Sequence, residues 1–107
     1  MVRIIQRAIE SRQAKLNKKH GKISVFDLQS RMDELLEKGE ITVGGRQTCS
    51  VTDPTWEFYM MWNQVVNIFN KYEKEYTIKV EHVHIDKPGG AFSGGYWQEN
   101  KYILLKK

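Results

Sequence analysis

Apolar positions repeat along this chain with two different periods, and the switches between them outline its elements. Val2, Ile5, Ile9 and Leu16 recur at helical spacing and predict a helix over residues 2–19. Gly21 suits its stop, and Lys18, Lys19 and His20 suit the negative end of the helix dipole. Val25, Leu28, Met32, Leu35 and Leu36 mark the stripe of a second helix. Ser24 is expected as its cap, with Asp27 three positions on as an approximate capping box and Gly39 as its end. A third helix opens at Asp53-Pro54, Asp as cap and Pro at the first helical position. Trp56, Tyr59, Met60, Val65, Val66, Phe69 and Tyr72 line it, and Met61, Trp62 and Ile68 widen that face, as expected of a central core helix.

The remaining segments are β-prone. Residues 40–43 and 46–51 flank Gly44-Gly45, which predicts a hairpin with a two-residue turn, because glycine tolerates positive φ. Residues 76–86 read as a strand, 87–95 as a loop, and 96–105 as a last strand. In the first of these strands Ile78 and Val80 share a face with His82 and His84, while Val83 and Ile85 point the other way. Either both faces are partly covered or a bulge near Glu81 shifts the register. The predicted order is α-α-β-β-α-β-β. It describes a single α+β domain over residues 1–107, with its helices packed on an antiparallel sheet.

Composition narrows the class without naming a function. The length of 107 residues fits one domain, and 40% apolar with 28% charged residues is ordinary for a globular chain. The lone Cys49 excludes an internal disulfide framework. No apolar run approaches the roughly 18 residues of a membrane span, so no membrane partner is expected. Residues 1–7 lack the apolar stretch of a signal peptide, which makes the cytoplasm the expected location.

Charge changes the picture more. Residues 1–22 hold seven cations against Glu10 alone, leaving +6 there and −2 on the rest of a chain whose total is +4. On a helical projection Arg3, Arg7, Arg12, Lys15, Lys18 and Lys19 sweep about half the circumference, opposite the apolar stripe. Such a face can track a phosphate backbone or dock on an acidic protein surface.

The run Arg31-Met-Asp-Glu-Leu-Leu-Glu-Lys-Gly-Glu-Ile-Thr-Val43 and the Gly-Gly pair after it resemble the helix-to-wing junction of winged-helix domains, over about a quarter of the chain. The resemblance implies a helix in the DNA major groove with a wing beside it. This helix departs from that pattern: Asp27, Asp33, Glu34 and Glu37 outnumber Arg31 and Lys38. Nucleic-acid contact is therefore expected from the first helix, assisted by Arg46 in the wing.

Other candidates are local. His82 and His84 form a His-x-His pair able to contribute two metal ligands, with Glu99 and Asp86 as candidate neighbours that nothing in the sequence shows to converge; no complete metal site and no cofactor is expected. The glycine-rich segment 88–95 lacks the Lys-Ser/Thr end of a phosphate-binding loop. Its Phe92, with Tyr96 and Trp97 at its edge, offers instead an aromatic tip for protein contact. Cys49 has no basic neighbour closer than Arg46 and no evident catalytic partner, and no catalytic residue is assigned.

These features rank three functions. First is a small non-enzymatic binding or regulatory protein that contacts nucleic-acid backbone through the basic helix. Second is a protein-interaction module, an inhibitor or adaptor, using that helix or the aromatic loop 88–97. Third is a small metal-dependent enzyme using His82 and His84. The breadth of the third helix's apolar face also allows a homodimer, since pairing is one way to cover it.

Overall fold

No glycine or proline interrupts the first segment, and in the computed structural model, which describes residues 3–23, 25–48, 53–83 and 95–107, it makes α1 (Arg3–His20). Ile5, Ile9 and Leu16 are its buried residues, as the period predicts. Gly21 ends it at φ +79°, donating its N–H to Asn17 O at 2.8 Å. Val2 lies outside the described residues.

The second helix, α2 (Leu28–Lys38), starts later than its expected cap. Ser24 lies outside the described residues, and the cap is Asp27, whose carboxylate accepts from Ser30 N at 3.1 Å. The reason is tertiary. The Gln13 side chain of α1 accepts from Leu28 N at 2.7 Å and donates to Phe26 O at 2.8 Å, fixing the chain just before the helix. Phe26 then packs on Phe58, ring centroids 5.6 Å apart. Val25 is left outside the helix and 68% exposed, so the buried stripe is Leu28, Met32 and Leu35, with Leu36 turned partly to solvent. Gly39, at φ +85°, stops α2 as expected.

The expected Gly-Gly hairpin does not form. β1 (Glu40–Thr48) runs straight through Gly44 and Gly45 and pairs along its whole length with β3 (Gly95–Lys106). Neither glycine has positive φ. Both are needed for close approach instead. A Cβ on Gly44 would lie 2.6 Å from Gln98 O and 2.8 Å from the Trp97 ring; on Gly45 it would lie 2.5 Å from Thr55 O and 2.9 Å from Trp56 Cα. The order is therefore α-α-β-α-β-β, not α-α-β-β-α-β-β, and β1 forms no wing.

Asp53 caps α3 (Pro54–Tyr72) with Pro54 in its first turn, as read from the sequence. β2 (Tyr76–Val83) is the other edge strand, and the antiparallel order is β1-β3-β2. Among the described residues, three helices thus pack with one three-stranded sheet into a single α+β body. α3 and α2 cover the sheet face that carries Ile41, Val43, Ile78 and Tyr102, and α1 packs on α3 and α2. This layering explains the breadth of α3. Trp62 meets Tyr102 edge-on at 5.6 Å, Phe58, Tyr59, Val65, Val66 and Phe69 are buried, and Met61 and Ile68 are half-buried. Only Met60 and Tyr72 of its expected apolar face are largely exposed.

Candidate functional site

The candidate surface is the solvent arc of α1. With Ile5, Ile9 and Leu16 fixed inward, Arg3, Arg7, Lys15 and Lys18 point outward, among Ile4, Glu10, Ser11 and Ala14. These four cations form no ion pair among the described residues, and exposed Lys22 continues the series beyond the helix.

The structure divides the expected six-cation face. Arg12 turns toward α3 and donates from Nε to Gln64 Oε1 at 2.8 Å. Lys19 and His20 both meet the carboxylate of Glu57 on α3. Burial is the largest single influence on that carboxyl and raises its pKa. The hydrogen bonds and charges of Lys19 and His20 outweigh it, so the net shift is downward. Arg12 and Lys19 are therefore attachments between helices, and the exposed ridge is Arg3, Arg7, Lys15 and Lys18.

Arg46 is separated from that ridge. It alternates with Ile41, Val43 and Gly45 along β1, so it projects from the sheet face opposite the helices, and its backbone N–H donates to Thr55 Oγ1 at 3.0 Å. Trp97 lies in β3, half-buried over Gly44. Tyr96 belongs to β3 by its backbone, and Phe92 and Cys49 lie outside the described residues.

His84 and Asp86 also lie outside the described residues, whereas His82 belongs to a polar chain that enters the core. Its Nδ1 donates to Asn100 Oδ1 at 2.9 Å, Asn100 Nδ2 donates to the Tyr102 hydroxyl at 3.3 Å, and that hydroxyl donates to Asn63 Oδ1. Asn63 Nδ2 then reaches Tyr59 O at 2.9 Å. Burial pushes the Tyr102 hydroxyl well above its ordinary range, so it is a neutral donor at physiological pH. Among the described residues, no three His, Cys, Asp or Glu side chains converge as a metal site.

Residues that sequence reasoning passed over do much of the positioning: Gln13, Asn63, Asn70 and Asn100. Their common signal is a polar amide on or beside a predicted apolar face. Two shallow hollows are bordered by described residues. One, of about 170 Å³, lies among Leu36, Phe69, Glu73, Glu75 and Tyr76; the other, of about 220 Å³, follows the edge of β1. Both are smaller than the roughly 300 Å³ at which small-molecule sites begin.

Compared with protein-family models, with curated proteins and with solved structures, the chain matches none. The winged-helix resemblance thus stands on its residues alone, and the continuous β1 removes the wing that those residues implied. No described helix is long and apolar enough to cross a membrane.

Proposed function

We propose that this is a small non-enzymatic binding protein that contacts nucleic-acid backbone through the exposed ridge of α1. One observation carries the reading: Arg3, Arg7, Lys15 and Lys18 stand outward on a helix with no ion-pair partner among the described residues, whereas Arg12 and Lys19 are engaged at α3. Cations held in this way exchange condensed counterions for phosphate contacts without first breaking internal pairs. The ridge is roughly 23 Å long, from the helical rise of 1.5 Å per residue, and spans several phosphates. The ridge carries no aromatic ring to stack on bases, which supports binding through the backbone.

An acidic protein surface is the second reading, favoured by exposed Ile4 between Arg3 and Arg7, since an apolar contact adds to protein docking and little to phosphate tracking. The experiment is retention on double- and single-stranded DNA and RNA across a salt series. Wild type is compared with a variant carrying Arg3→Glu, Arg7→Glu, Lys15→Glu and Lys18→Glu. Salt-dependent retention is expected, with the variant losing about one unit of salt slope for each cation removed. Retention by an acidic polypeptide with none by any nucleic acid would transfer the assignment to the second reading.

A further inference from the structure

The two edges of the sheet are unequally protected. On β2, the Asn70 side chain of α3 closes the backbone of Ile78: Oδ1 accepts from Ile78 N at 2.6 Å and Nδ2 donates to Ile78 O at 2.9 Å. This amide occupies the groups a further strand would use, and it plugs the edge where Ile78 is buried. A twofold pairing of β2 one residue further on, centred on Glu81, would set two copies of that carboxylate against each other.

β1 has no such plug along its middle. Its ladder with β3, continued by Leu104 N donating to Gly39 O at 2.8 Å, turns the backbone groups of Ile41, Val43 and Gly45 inward. Those of Glu40, Thr42, Gly44 and Arg46 face away. Thr55 Oγ1 covers the Arg46 N–H, but the outward N–H and C=O of Thr42 and Gly44 have no partner among the described residues. The hollow of about 220 Å³ runs beside this stretch, with Val25, Phe26 and Arg31 along it. The Arg31 Nε is buried there without a hydrogen-bond partner among the described residues.

We propose that β1 pairs antiparallel with β1 of a second copy about a twofold axis at Val43, joining two three-stranded sheets into one of six strands. Two properties of the strand fit this occupant. The register sets Thr42 against Gly44 of the second copy and Gly44 against its Thr42, so outward groups meet outward groups and exchange four main-chain hydrogen bonds. It sets Glu40, whose carboxylate meets Lys101 of its own sheet at 3.2 Å, against Arg46 of the second copy, on the same face, twice by symmetry, so the charges are complementary. A shift of two residues in either direction along β1 loses the Glu40–Arg46 match, so the charges also fix the register.

The test is the solution mass of the full chain by light scattering and sedimentation, from micromolar to millimolar concentration. The mass is expected to double from 12.6 kDa as concentration rises. Thr42→Pro removes an outward N–H, where an edge strand tolerates proline, and should hold the chain at monomer mass with unchanged circular dichroism. Glu40→Arg and Arg46→Glu should each weaken the dimer about tenfold, as two like-charge contacts replace two favourable ones, and the double swap should restore it. The swaps keep the test decisive if the proline variant does not fold. A chain that stays monomeric at millimolar concentration overturns the proposal, as does a dimer that neither single swap weakens. The α1 charge-reversal variant should dimerise like wild type, so failure here and failure of the nucleic-acid reading are told apart.

Discussion

Single residues in this protein are constrained by what lies within a few ångströms of their backbone. Gly44 and Gly45 show it best. Each has an ordinary strand conformation, so an added methyl costs nothing in φ, yet at Gly45 it would strike Thr55 O and Trp56 Cα, both backbone. Gly45→Ala is expected to destabilise the fold by about 2 kcal/mol, the scale of overpacking. Gly44→Ala should cost less, because the Trp97 ring among its neighbours can move, although Gln98 O cannot. Urea unfolding midpoints at constant m-value check the order. Gln13 is constrained in the converse way, by partners it satisfies. Gln13→Ala strands Leu28 N–H and Phe26 C=O at the entry to α2, and should cost about 1–2 kcal/mol in the same measurement.

Between elements, a few polar contacts set where each helix lies on the rest. Glu57 joins α3 to the C-terminal turn of α1 through Lys19 and His20. Its pKa is lower in the folded chain than its ordinary value of 4.5. A group of this kind contributes stability that is present above its unfolded pKa and is lost as pH falls through its folded value. Thermal stability should therefore decline on acidification below about pH 4.5, and Glu57→Gln should flatten that part of the profile while lowering stability at neutral pH. Asn70 does the corresponding work between α3 and β2 by bonding both backbone groups of Ile78. The elements themselves were largely legible: the periods of α1 and α3, the Asp53-Pro54 start and the Gly39 stop all appear where expected. The two departures, the late start of α2 and the unbroken β1, both arise from contacts distant in sequence, Gln13 in one case and β3 with Thr55 in the other.

At the scale of the whole molecule, charge and packing are segregated. The sheet is covered by α3 and α2, α1 lies against those helices, and the cations without an ion pair among the described residues occupy its far side. Arg46 belongs to the opposite face of the sheet, so the ridge and Arg46 do not form one surface. Because the ridge makes no ion pairs among the described residues, and Arg3→Glu at the positive end of the helix dipole offsets Lys18→Glu at its negative end, reversing Arg3, Arg7, Lys15 and Lys18 together should leave unfolding free energy within about 0.5 kcal/mol of wild type. Arg12→Ala, which removes the contact to Gln64, should lower it by more. Calorimetry on the two variants separates an exposed charge surface from a structural one.

The sequence by itself determined the helical segments, the apolar stripes and the basic bias of the first 22 residues, because each depends on local period or on counting charges. It also marked the ridge residues, though not which of the six cations stay free. Tertiary structure alone decided that division, since Glu57 and Gln64 lie dozens of residues away on α3. It decided the role of Gly44-Gly45 for the same reason. A turn and a close approach both call for glycine, and only the position of Trp97, Gln98 and Thr55 distinguishes them. The exposed edge of β1 is likewise a property of sheet order, which local pattern does not encode.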